Sequence, residues 1–129
     1  MKISELFENE KTTLNMIYGG DIPDRDEMIW DYTGKNEFDT PLMVEVMSKH
    51  KLMITLLSQY RAEHIDEIYD LLDPDQEEIV DHYKSDSNLS NSIIIVADGK
   101  IIDGNHRALA AALTNRSIKY VDLNSEPDQ

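Results

Sequence analysis

Ile93-Ile94-Ile95-Val96-Ala97-Asp98-Gly99-Lys100-Ile101-Ile102-Asp103-Gly104-Asn105-His106-Arg107-Ala108-Leu109-Ala110-Ala111-Ala112-Leu113 contains two extended runs, the dipeptide that joins them, and a helix. The β-branched residues from Ile93 to Val96 suit a strand, because branching at Cβ restricts χ1 in a helix and packs well on a pleated surface. Asp98-Gly99 is a two-residue hairpin signal, since both residues tolerate positive φ. Lys100-Ile101-Ile102-Asp103 resumes the extended chain, and Gly104 breaks it. Asn105 is read as the cap of an alanine-rich helix that Asn115 ends. Residues 118–123 then return as a strand. The stretch 92–123 therefore predicts strand, turn, strand, helix, strand, and an α+β fold with a small mixed sheet.

Moving towards the N-terminus, residues 85–91 are a polar connector. Before it, Asp73 is a candidate N-cap, Pro74 occupies the favoured first helical position, and Glu77 and Glu78 complement the positive end of a helix running to Lys84. Residues 61–72 carry Ile65, Ile68, Tyr69, Leu71 and Leu72 at helical spacing, closed by Asp73-Pro74. Residues 51–57 are ambiguous: Leu52, Ile54 and Leu56 alternate like a strand, while Leu52, Met53, Leu56 and Leu57 form a helical stripe. Residues 41–47 alternate weakly and predict one strand. Residues 25–32 suit one or two helical turns, ended by residues 33–36; residues 19–24 suit a loop, and residues 3–10 a short opening helix. No repeat or internal boundary appears, so residues 1–129 read as a single domain with its motif core at 92–123.

The chain has no cysteine, which excludes a disulfide framework, a thiolate zinc site and a cysteine nucleophile. Its longest apolar run, Ile93 to Ala97, is too short to span a bilayer, and the first residues lack the apolar stretch of a secretory signal, so the expectation is a cytoplasmic protein without a membrane. The formal charge of −14 argues against a broad grip on extended nucleic acid. Residues 1–91 hold 21 acidic and 8 basic side chains, whereas residues 92–129 hold 5 and 4, so the negative charge sits almost wholly outside the motif core.

A strand that ends in glycine and turns at once into a helix points backbone N–H groups outward at the positive end of the helix dipole. Gly104 would let a ligand approach the backbone, Arg107 can make paired hydrogen bonds to phosphate, and His106 adds a donor or a titratable group. Asp103, at the strand end, can hold magnesium through water or accept a proton. Spacing alone leaves a plainer reading open: a turn and a cap at Gly104 and Asn105, and a carboxylate partner for Arg107. Asp98-Gly99 is structural. His50, His64 and His82 lack metal-ligand spacing, Trp30, Tyr60 and the methionines read as core, and Glu63, Asp66, Glu67 and Asp70 read as a solvated helix face.

At residues 101–111 the sequence Ile-Ile-Asp-Gly-Asn-His-Arg-Ala-Leu-Ala-Ala resembles the hallmark of the ParB/sulfiredoxin superfamily: strand, turn ending in glycine, polar step with arginine, alanine-rich helix. With the flanking strands and the helix from Gln76 to Lys84, the resemblance covers roughly the last 55 residues. It implies a ParB/sulfiredoxin-like fold that binds a nucleotide (ATP, ADP or CTP) with magnesium, the phosphates resting on Gly104, Asn105, His106 and Arg107 and the metal near Asp103. Asn105 stands where sulfiredoxins place their reactive cysteine, which excludes sulfinic-acid repair. The partitioning clamps of the superfamily carry further DNA-binding and dimerisation segments, for which no room is evident. Its kinase members use a carboxylate base outside the motif, and Glu45 is the candidate here.

Three functional expectations follow. The first is a magnesium-dependent phosphotransferase or NTP hydrolase, with Asp103, His106 and Glu45 as candidate catalytic groups and an unidentified phosphate acceptor. The second is an acidic accessory protein of a phage or mobile element that binds and blocks a basic host factor through its acidic surface, without catalysis. The third, a nuclease, comes from the resemblance alone and is opposed by the charge.

Overall fold

The computed structural model describes residues 10–18 and 41–123. Nearly all of the helix expected over residues 3–10, the loop and turns expected over residues 19–36, and Trp30 lie outside the described residues. Along the chain the elements are β1 (Lys11–Thr12), α1 (Leu14–Tyr18), β2 (Leu42–Met43), β3 (Glu45–Met47), α2 (Lys49–Tyr60), α3 (Ile65–Asp70), α4 (Pro74–Lys84), a 3-10 turn (Leu89–Asn91), β4 (Ile93–Ala97), β5 (Lys100–Asp103), α5 (Asn105–Leu113) and β6 (Ile118–Asp122). This is a small α+β fold. Its main sheet is mixed, in the order β3-β6-β4-β5, and β1 and β2 form a separate antiparallel pair.

The hairpin forms as the sequence predicts. Asp98 at φ 53° and Gly99 at φ 75° both occupy the left-handed region that a two-residue primed turn requires. β4 then pairs antiparallel with β5 and parallel with β6, and β6 pairs antiparallel with β3. A register shift between Ile95 and Val96 leaves Ile102 as the extra residue of β5, so Asp103 stands opposite Ile95 and Ile101 opposite Val96.

Alternation along β4 divides the core. Ile94 and Val96 face the helices, where they join Met47, Leu52, Leu56, Ile68, Val80, Leu89, Ile101 and Ile118. Ile95 faces the other way, with Leu14, Leu42, Val44 and Val121. α5 lies in the middle of the helical layer: Ala108 through Ala112 are all buried, and small side chains allow its neighbours to approach closely.

The ambiguity at residues 51–57 resolves as helix. Ser48 caps α2 by accepting from the N–H of Lys51 at 3.2 Å, Leu52 and Leu56 are fully buried, and Ile54, inward in the strand reading, is 52% exposed. α4 starts as expected, with Asp73 accepting from the N–H of Gln76 at 2.9 Å and Pro74 in the first turn. Three expectations need correction. Residues 41–47 are not one strand: the chain leaves the small sheet after Met43 and enters the main sheet at Glu45, with the N–H of Val44 donating to the Glu10 carbonyl at 2.9 Å. The helix expected over residues 61–72 is confined to Ile65–Asp70, because Arg61 adopts a left-handed conformation that closes α2. The connector over residues 85–91 is not merely polar, since its 3-10 turn drives Leu89 fully into the core.

Candidate functional site

The end of β5 and the start of α5 meet at Gly104. This residue, not Asn105 as expected, is the N-cap, at φ 92° and ψ 23°. The N–H of Ala108 makes the first turn's bond to the Gly104 carbonyl at 2.9 Å, and no side chain caps the helix. The N–H groups of Asn105, His106 and Arg107 precede that bond, so they are the ones a helix start offers to an anion. All three residues are half-buried.

Arg107 folds back over the same turn. Its Nη1 donates to the carbonyl of Ile93 at 3.2 Å, and its Nη2 lies 2.8 Å from the point a Cβ on Gly104 would occupy. That point is also 2.7 Å from Cγ2 of Ile94. The reason for a glycine therefore differs from the one expected. The turn needs positive φ, and the space a side chain would fill is taken by Arg107 and Ile94 instead of standing open for a phosphate oxygen. The consequence for chemistry is favourable, because the guanidinium is held beside the helix start.

The side chain of Asn105 turns the other way, towards α2. Its Oδ1 accepts from Gln59 Nε2 at 3.2 Å and from the Tyr60 hydroxyl at 3.0 Å, while its Nδ2 donates to the Ile101 carbonyl at 3.2 Å. Gln59 gave no signal in the sequence, because a glutamine in an amphipathic helix is ordinary and its partners lie 42 and 46 residues away. Tyr60, read as core, is 45% exposed, and burial of its remaining surface pushes its phenol up from the ordinary value.

Asp103 and His106 flank the turn, both half-buried, and Asp103 is itself engaged in a polar or electrostatic interaction. Glu45 is not at the corner. It is exposed on β3, the opposite edge strand, where it pairs with Tyr120, which in turn pairs with Ile94. With strands spaced ~4.8 Å apart, Glu45 is roughly 10 Å across the sheet from Ile94 and roughly 14 Å from β5. The row Ile94, Tyr120, Glu45 shares the helical face of the sheet, since Ile94 and Tyr120 both pack in the helical core. Glu45 Oε2 accepts from the Tyr120 hydroxyl at 2.8 Å. Burial, then that hydrogen bond, then the charges of Glu45 and Asp122 push the Tyr120 phenol up to about 12.

His50, His64 and His82 are all exposed, as are Glu63, Asp66, Glu67 and Asp70. His64, set aside for lack of metal spacing, does come together with Glu63 and Glu67, their ligand atoms within 4.8 Å of one another. On α3 and α4, the Tyr69 hydroxyl donates to Asp81 at 2.6 Å and to Glu77 at 3.1 Å, and its phenol is raised, first by the bond to Asp81. No helix among the described residues is long and apolar enough to cross a membrane. Comparisons with protein-family models, curated proteins and solved structures gave no match to this chain.

Proposed function

We propose that the corner at Gly104 binds the phosphates of a nucleoside di- or triphosphate, and that the chain is a magnesium-dependent phosphotransferase or NTP hydrolase with a ParB/sulfiredoxin-like fold. One observation carries this reading: the start of α5 has no side-chain cap, and the guanidinium of Arg107 is folded over the same turn. Amides at the positive end of a helix and a planar guanidinium are both donors suited to phosphate oxygens.

In this reading the amides of His106 and Arg107 hold a terminal phosphate, and Arg107 takes up charge that develops on its oxygens. His106 donates from the next position. Asp103 would hold magnesium through water, and the metal would supply neutralisation of the phosphate charge. Transfer breaks the bond from the terminal phosphorus to its bridging oxygen and makes one to the acceptor oxygen, whose proton passes to a carboxylate. Glu45 serves as that carboxylate only for an acceptor large enough to lie across Tyr120. For hydrolysis the nearer carboxylate, Asp103, takes the proton from water.

Calorimetric titration with ATP, ADP, CTP and GTP, with and without magnesium, tests the reading. Saturable binding that magnesium strengthens is the expected result; heats no larger than dilution for all four at millimolar concentration would overturn it. A melting point raised by the same nucleotides would agree, since a ligand that binds only the folded chain must stabilise it.

A second reading has its own observation. The carboxylates of Glu63, Asp66, Glu67 and Asp70 are all exposed, and such a surface suits a basic protein partner. Charge reversal at these four positions that abolished capture of a basic partner, while Arg107→Ala left capture intact, would favour that reading over catalysis.

A further inference from the structure

The last turn of α2 reaches the corner with two adjacent side chains. Gln59 Oε1 accepts from the N–H of Ile101 at 2.8 Å, and Gln59 Nε2 donates to the Ile101 carbonyl at 3.1 Å. A residue on a neighbouring strand would pair with Ile101 in the same way. One glutamine thus closes part of the edge that β5, the last strand of the sheet, leaves open. The same Nε2 also donates to Asn105 Oδ1, where the Tyr60 hydroxyl is the second donor. Two donors use both lone pairs of that oxygen, and the Nδ2 of Asn105 is engaged by Ile101.

The consequence lies at the start of α5. Asparagine side chains compete for nearby backbone groups, and one loose beside an uncapped helix start would fold onto its amides. Gln59 and Tyr60 hold Asn105 off. We propose that Gln59 is a positioning residue for the phosphate corner: by binding Asn105 and the edge of β5 together, it keeps the amides of His106 and Arg107 open to an anion. This rests on the phosphate-binding reading above. Gln59 touches no ligand and acts only through Asn105.

The test uses the full chain and inorganic tripolyphosphate, titrated by calorimetry. Gln59→Met keeps the volume and removes all three hydrogen bonds of the side chain; it is expected to weaken tripolyphosphate roughly tenfold, about the worth of one net hydrogen bond. Adding Asn105→Ala to Gln59→Met removes the competing side chain and is expected to bring the affinity back to within about twofold of the original, a rescue that general destabilisation would not give. Tyr60→Phe, which leaves the edge of β5 untouched, is expected to weaken binding about threefold and keeps the test valid if Gln59→Met does not fold. Affinity unchanged in Gln59→Met and Tyr60→Phe, or a double variant as weak as Gln59→Met, overturns the role of Gln59 while leaving the corner intact. Failure of the unaltered chain to bind tripolyphosphate overturns the phosphate reading and this inference with it.

Discussion

The guanidinium of Arg107 reaches back to the first residue of β4, donating from Nη1 to the carbonyl of Ile93 at 3.2 Å. One arm of the fork is thereby anchored to the sheet. The other, Nη2, lies across the turn at Gly104, so the charge is held at the helix start without tying up the amides there.

Arg107→Ala is expected to weaken magnesium-nucleotide or tripolyphosphate binding by about 1.5–3 kcal/mol, the usual worth of hydrogen bonds to a charged group. Arg107→Lys should recover only part of that loss, because an ammonium is a point charge and cannot anchor on Ile93 and present a flat edge to phosphate together. Calorimetry on the three proteins decides it. Equal affinity in all three would place the phosphate elsewhere.

The two glycines of the motif should respond differently to alanine. Gly99 at φ 75° has nothing within 4 Å of an added Cβ, so Gly99→Ala bears only the backbone strain of about 1–2 kcal/mol. Gly104→Ala bears the same strain and also drives a Cβ to 2.7 Å from Ile94 and 2.8 Å from Arg107. Urea denaturation should show the larger loss at Gly104, and only Gly104→Ala should also weaken phosphate binding, because Arg107 must move.

The motif core was legible because its signals are local: a β-branched run, a turn dipeptide and an alanine-rich helix each specify backbone within a few residues. The α+β class followed from those alone. What stayed hidden depends on partners distant in sequence. Nothing near Gln59 indicates that its amide pairs with Ile101, and nothing near Leu89 indicates that a polar connector buries it. The break at Val44 was hidden for a related reason, since a chain that changes sheets keeps its extended pattern throughout. At the candidate site, Gly104, His106 and Arg107 share one turn because they are neighbours in sequence, whereas the cap expected of Asn105 is made by Gly104, and Glu45 lies two strands from Ile94.

Arg116, which carried no signal in the sequence, should matter for stability alone. Its guanidinium donates to the carbonyls of Asp86 at 2.6 Å, Lys84 at 2.9 Å and Tyr83 at 3.4 Å, and its Nε to the Thr114 hydroxyl at 2.8 Å. It thus adds a donor to the last two carbonyls of α4, at Tyr83 and Lys84, and to that of Asp86 just beyond the helix. Arg116→Ala is expected to lower unfolding free energy by about 1.5–3 kcal/mol with phosphate affinity unchanged. A stability loss below about 0.5 kcal/mol would show that water replaces the guanidinium without penalty.

Tyr120 gives the fold a dependence on alkaline pH. Burial, the hydrogen bond to Glu45 and the nearby charges of Glu45 and Asp122 favour the neutral phenol, raising it from 10.0 to about 12 in the folded chain. Between those values the folded chain binds more protons than the unfolded one, so stability must fall as pH rises. The contribution is complete below pH 10 and gone above about 12, where a phenolate would face the Glu45 carboxylate. Tyr120→Phe removes both the hydrogen bond and the titration. Below pH 10 the variant should be less stable by about 1 kcal/mol, the net worth of a hydrogen bond, and its disadvantage should shrink as the pH rises through the window and can reverse towards its upper end. Tyr69, also raised, leaves a residual slope in both proteins. Urea midpoints measured across this range for the two chains decide the matter: curves that stay parallel would mean that the Tyr120 phenol does not titrate against Glu45.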